Sequence, residues 1–132
     1  MIQSSERQLA EAQLLWGSST PISGTKAETY IRNLYVKVPI PATLRFVSNI
    51  YHSPSDTWSD AMVGSIHNSK AVHCTYFTEQ GEIADDKPKA IIGECLGGYV
   101  KLTNGTGALV ISVSIDAGLV AFEWLSEHDP EV

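Results

Sequence analysis

The chain has 132 residues, 43% hydrophobic and 18% charged, a balance typical of one globular domain with a sizeable core. Its 15 acidic and nine basic residues leave a net charge of −6, which disfavours tight sequence-independent nucleic-acid binding because phosphates must be neutralised by Lys and Arg. No apolar run reaches the roughly 18 residues of a membrane span, and the polar N-terminus is unlike a secretory signal. We therefore expect a cytoplasmic protein without membrane partners.

The first third of the sequence predicts two helices. Apolar residues recur on one face of residues 5–16, and Gly17 follows as a stop signal. Thr25, with Glu28 three residues later, forms a capping-box pattern that predicts a second helix to about Leu34.

From residue 44 onward the pattern changes to one typical of a sheet. Two β-rich runs are separated only by residues 68–70, which predicts a hairpin. Strands are predicted at residues 44–47, 61–67, 71–78, 99–102 and 108–113, loops at 52–58 and 78–89, and a closing helix at 114–128. Two N-terminal helices, a mainly antiparallel sheet and a C-terminal helix predict an α+β fold, with residues 1–132 as a single domain.

Six sequence motifs follow one another in a fixed order. They are LW at 15–16, PISGTKAETYIR at 21–32, TLRF at 43–46, AMV at 61–63, AVHCTYF at 71–77 and GGYVKL at 97–102. Together they resemble the region just before the Toprim fold in phage- and plasmid-type primases. The resemblance extends from about residue 8 to about residue 125.

The resemblance implies a catalytic glutamate and glycine where this chain has Val113 and Ser114. Asp116 matches a second, non-catalytic glutamate of the same motif. As an acidic residue in the first turn of a predicted helix, it would interact favourably with the positive end of the helix dipole. In such primases the first glutamate and a later Asp-x-Asp pair organise the metal for phosphoryl transfer. Neither that pair nor the zinc-binding segment of these primases occurs in the 132 residues. We therefore expect a degenerate, partial Toprim scaffold that is not an enzyme and carries no cofactor.

Other chemistry has weaker support in the sequence. His73 and Cys74 are adjacent on a predicted strand, so their side chains point to opposite faces and predict a core thiol and a surface imidazole. The four histidines show no metal-ligand spacing.

Acidic residues and one tryptophan define a candidate binding surface. Trp58 lies in a predicted loop rich in Ser, Pro and Asp and is the candidate exposed anchor, whereas Trp16 and Trp124 are predicted in the core. Glu79 and Glu82 add to an acidic loop that we interpret mainly as solvated surface. The candidate surface comprises Trp58, Asp85, Asp86, Glu123 and Glu127.

The absent chemistry and the acidity predict a non-catalytic protein of a phage or other mobile element. It would bind and inhibit or modulate a host protein complex that has a basic nucleic-acid-binding surface, in the manner of an anti-CRISPR protein, with weak or no nucleic-acid binding of its own.

An alternative hypothesis is a replication accessory that binds single-stranded nucleic acid or docks on a helicase. Its contacts would be Arg32, Lys37 and Arg45, with Tyr35 and Tyr51 supplying stacking surfaces. A third hypothesis is an excised domain of a larger enzyme, in which the function lies in the missing part.

Overall fold

The computed structural model describes residues 4–52, 56–67, 71–84, 88–92, 98–103 and 115–128. Within these ranges three helices flank a six-stranded antiparallel sheet. The helices are α1 (Ser4–Ser18), α2 (Lys26–Asn33) and α3 (Ile115–His128). The strands are β1 (Thr20–Pro21), β2 (Leu44–His52), β3 (Thr57–His67), β4 (Val72–Phe77), β5 (Lys89–Ile92) and β6 (Tyr99–Val100).

The sheet runs in sequence order, β1-β2-β3-β4-β5, with each strand antiparallel to its neighbour. Strand β6 pairs with Ile66 and His67 of β3, beyond the last β2 partner at Gly64. Strand β3 therefore lies at the centre and makes contact with three other strands.

Helices cover both faces of the sheet. On one face, α2 and α3 pack over residues such as Leu44 and Met62. On the other face, α1 packs through Ala12 over Val47 and Val63. Side chains alternate between the two faces along a strand, and both faces are covered by helices here. Residues 61–64 in the middle of β3 are therefore all buried.

Gly64 lies where β3 passes under the start of α3. A Cβ placed on it would lie 3.1 Å from Ile115 Cδ1 and 3.3 Å from both Leu44 Cδ2 and Val100 Cγ1. The missing side chain lets the buried Ile115 approach the sheet closely.

The α+β class, the three helices and the β3–β4 pairing confirm the sequence predictions. The predicted loop at 78–89 was wrong at its end, because Lys89 begins β5. The predicted strand at 44–47 was too short, because β2 continues to His52. The capping box was also wrong, because the Thr25 hydroxyl donates to Ile22 O at 2.6 Å and makes no cap hydrogen bond. The predicted strand at 108–113 lies outside the described residues.

We expect Gly64→Val to destabilise the protein by about 1–3 kcal/mol, because the added methyl groups overpack the contact with Ile115. Gly17→Val is the matched control, since nothing lies within 4 Å of a Cβ at Gly17. It should change stability by no more than about 0.5 kcal/mol. Urea denaturation measures both free energies of unfolding, and equal losses would contradict the close packing at Gly64.

Candidate functional site

Trp58 is the most exposed tryptophan of the described residues, with 68% of its surface open to solvent. It lies opposite Tyr51 in the β2–β3 register, and the two rings are 5.6 Å apart at 58°. The Tyr51 hydroxyl donates to Asp56 Oδ1 at 2.6 Å. The exposure agrees with the prediction, but the loop assignment was wrong because strand pairing continues to His52 and Thr57. A paired strand fixes the position of the indole more firmly than a loop does.

A carboxylate anchors this end of the hairpin. Asp60 Oδ1 accepts a hydrogen bond from Asn49 N–H at 3.0 Å, within the bulge between Val47 and Ile50, where Asn49 has a φ of 59°. Asp60 Oδ2 lies 2.8 Å from Lys26 Nζ at the start of α2. Burial alone would raise the pKa of Asp60, but the hydrogen bonds from Lys26 and Asn49 outweigh it and lower the pKa. Asp60 is therefore charged at neutral pH and joins β2, β3 and α2.

An open groove of about 490 Å³ lies beside Trp58, and we call it the Trp58 groove. One wall is a tight turn in which Gly81 N–H donates to Thr78 O at 3.0 Å and Thr78 N–H donates to Glu82 O at 2.7 Å. Gly81 has a φ of 82°, which a side chain would strain. The lining residues are Lys26, Thr57, Trp58, Ser59, Asp60, Phe77, Thr78, Glu79 and Gln80.

The three charged side chains that line the Trp58 groove differ in whether they have a partner among the described residues. Lys26 and Asp60 pair with each other. Glu79 is exposed and makes no hydrogen bond or ion pair with any residue that the structure describes. One positive and two negative side chains therefore line the groove, and its unpaired charge is a carboxylate.

Two of the predicted acidic residues lie on α3. Glu123 Oε2 accepts hydrogen bonds from the N–H groups of Lys37 and Val38, both at 2.7 Å, so it fastens α3 to the segment after α2. Glu127 is exposed near the end of α3. Asp85 and Asp86 lie outside the described residues.

Trp124 was wrongly predicted in the core, since 60% of its surface is exposed. Helix α3 packs on the sheet through Ile115 and Leu119, and a residue five positions after Leu119 lies well around the helix from that face. Trp124 instead stacks on His128 with ring centroids 4.0 Å apart.

The three predicted basic contacts do not form one surface, because Arg45 lies apart from Arg32. Arg32 Nη1 donates to Val36 O and Val38 O, both at 2.9 Å, on the α2 side of the sheet. Arg45 Nε donates to Ser19 Oγ at 2.6 Å, and its guanidinium lies 5.7 Å from the Trp16 ring centroid on the α1 side. The two arginines occupy opposite faces of the sheet and hold local structure.

A second polar cluster links α2, α3 and the sheet. Asp116 accepts from the Tyr30 hydroxyl at 3.2 Å and lies 3.0 Å from Lys89 Nζ, in addition to its place in the first turn of α3. Burial, with a smaller effect of Asp116, raises the pKa of Tyr30 to about 12. His73 Nδ1 is buried and has no hydrogen-bond partner among the residues that the structure describes. Burial, followed by the positive charge of Lys89, lowers the pKa of His73.

Cys74 is fully buried in the core on the α1 face, as predicted, and burial raises its pKa to about 12. A protonated buried thiol is a poor nucleophile. His73 is half-buried, which corrects the prediction of a surface imidazole, because the Lys89–Asp116 pair lies over that part of the sheet.

The described residues contain no group of three or more His, Cys, Asp or Glu side chains suited to hold a metal ion. Among those residues, no helix is long and apolar enough to cross a membrane.

A family model described as a domain of unknown function, DUF7146, matches residues 6–102. The chain belongs to the DUF7146 family. The matched region contains the β2–β3 hairpin and every residue lining the Trp58 groove, whereas α3 lies beyond it. No curated protein and no solved structure matches the chain.

Sequence reasoning found Trp58 but not the groove beside it. Tyr51 was assigned to a nucleic-acid surface, and Glu79 was treated as part of a solvated acidic loop. The alternation of Trp58, Asp60 and Met62 was the available signal, since it places all three on one face once β3 is extended to Thr57.

We expect acidification to destabilise the fold through His73. Because the folded-state pKa lies below the ordinary value of 6.5, the unfolded chain binds this proton more readily, so stability falls as pH drops through 6.5 and levels off below the folded-state pKa. Urea midpoints of the wild type and of His73→Gln between pH 7.5 and 5 measure this. The wild type should lose more stability across that window, and parallel curves would contradict the neutral imidazole.

Proposed function

We propose that this chain is a non-catalytic protein-binding module that uses the surface around Trp58 to dock on a partner protein. The observation that carries the proposal is an exposed tryptophan held in fixed geometry by a paired strand and by Tyr51. Large aromatic side chains that are ordered before binding lose little conformational entropy and dominate binding energy at protein interfaces.

The neighbouring groups support a protein partner with a basic surface. Asp56, Asp60 and Glu79 are acidic residues at or beside the Trp58 groove, and the whole chain carries a net charge of −6. Complementary charge speeds association and disfavours wrong partners. Negative charge beside an exposed indole favours a partner surface that itself handles nucleic acid.

In its concrete form, the module belongs to a phage or other mobile element and acts in the host cytoplasm. It derives from a primase-type scaffold that has lost its catalytic glutamate, and it inhibits a nucleic-acid-processing complex of the host, in the manner of an anti-CRISPR protein. A scaffold that has lost its catalytic residues can still be maintained by natural selection acting on its binding surface.

The replication-accessory hypothesis has less support. It requires Arg32, Lys37 and Arg45 to form one stacking groove. Arg32 instead donates to backbone carbonyls and Arg45 donates to Ser19, and the two arginines lie on opposite faces of the sheet. Tyr51 makes a tilted contact with Trp58 beside acidic groups rather than beside these arginines.

We expect the tagged chain to retain a stoichiometric protein complex from host lysate after nuclease digestion. Trp58→Ala should reduce the recovered partner at least about tenfold, because removal of a central aromatic anchor costs about 2 kcal/mol or more. Affinity purification with quantitative mass spectrometry measures the recovery.

Trp124→Ala is the matched control, because it removes a comparably exposed tryptophan from α3 and should leave recovery unchanged. Expression of the wild-type chain should also weaken restriction of an infecting phage. Nuclease-sensitive recovery, or equal effects of the two substitutions, would reject the proposal, and recovery of a replicative helicase would favour the accessory hypothesis.

A further inference from the structure

We propose that the Trp58 groove is a binding site for an arginine side chain presented by the partner protein. This inference rests on the proposed docking function and names the chemical group that the site recognises. It is carried by three features of the described residues: a recess, an aromatic wall and an unpaired carboxylate.

The aromatic wall is suited to stacking a planar cation. The Trp58 indole lines the groove with most of its surface exposed, and its tilted contact with Tyr51 on the neighbouring strand restrains its orientation. A guanidinium over an indole gains cation–π attraction of about 0.5–1 kcal/mol at an exposed site. The volume of about 490 Å³ exceeds what one arginine side chain needs, so the recess also admits neighbouring atoms of the partner.

The carboxylate supplies the matching charge. Glu79 is free of hydrogen bonds and ion pairs with the described residues, and Gln80 beside it adds an amide oxygen as an acceptor. The turn that carries Glu79 packs against α2, since a Cβ on Gly81 would lie 3.8 Å from Lys26 Cβ. The backbone that carries Glu79 and Gln80 is therefore positioned before a ligand arrives.

Lys26, the cation in the lining, does not oppose this binding. Its ammonium is 2.8 Å from Asp60 Oδ2, so its charge is neutralised inside the groove wall. The remaining negative charge repels phosphate and disfavours a nucleic-acid strand as the occupant. Arginine is favoured over lysine because a flat, delocalised guanidinium can stack on the indole and donate two parallel hydrogen bonds to Glu79.

The test is an NMR titration of the ¹⁵N-labelled full chain with three hexapeptides at fixed ionic strength, containing only arginine, only lysine or only citrulline. The Trp58 indole N–H signal is assigned by its loss in Trp58→Phe. We expect hexa-arginine to shift this signal and the Glu79 amide, hexalysine to bind more weakly, and hexacitrulline to leave both signals unmoved.

Glu79→Gln should weaken hexa-arginine binding about two- to fivefold, the effect of losing one exposed ion pair. Glu11→Gln makes the same charge change on α1, outside the candidate binding surface, and should have no effect on hexa-arginine binding. Both positions are exposed, and unfolding midpoints confirm that each variant folds. Equal binding of hexa-arginine and hexalysine, equal effects of the two variants, or an unmoved Trp58 signal would overturn the inference.

The same variants separate this inference from the docking proposal. Partner recovery that is lost with Trp58→Ala but unchanged with Glu79→Gln would leave the docking function standing and reject the arginine site. Specific hexa-arginine binding together with partner recovery that is unaffected by Trp58→Ala would support the arginine site and reject the docking function.

Discussion

Strand β3 is buried on both faces, and the helices and the other strands are arranged around it. Its middle residues lie between α1 on one side and α2 with α3 on the other, and Gly64 provides the space that lets Ile115 approach. The first residues of β3 lie outside the part of the strand that the helices cover. Thr57 and Trp58 are therefore exposed, whereas Ala61 to Gly64 are buried. One strand therefore supplies both the centre of the core and an ordered, solvent-facing indole.

Much of the fold could be predicted because it follows from local patterns. Helical periodicity predicted α1 and α3, and alternation around residues 68–70 predicted the β3–β4 hairpin. Trp124 was misplaced because counting apolar residues on a helix does not show which face meets the sheet. Strand β5 was missed because it is short and partly exposed, and its pairing with β4 across a longer connection leaves little mark on local sequence.

The candidate site was harder to predict, for a related reason. Exposure of Trp58 followed from its polar neighbours, but the groove needs Lys26, Asp60 and Glu79 from three distant parts of the chain. Charge in the sequence did not show which groups were already engaged. Arg32, Arg45 and Glu123 all hold local structure, whereas Glu79 has no described partner. Tertiary hydrogen bonds, rather than charge counts, decide which ionic groups remain for a ligand.

Photo-crosslinking in host cells can show directly whether a partner protein docks at the Trp58 groove. A benzoylphenylalanine is placed at position 80 on the rim of the groove and, separately, at position 127 on α3. Both sites are exposed, and Trp58 stays intact in each. If the groove is the docking site, we expect a covalent adduct with one protein from position 80 that survives nuclease treatment and disappears when Trp58→Ala is added. Adducts from position 127 alone, or adducts from position 80 that persist without Trp58, would contradict docking at the groove.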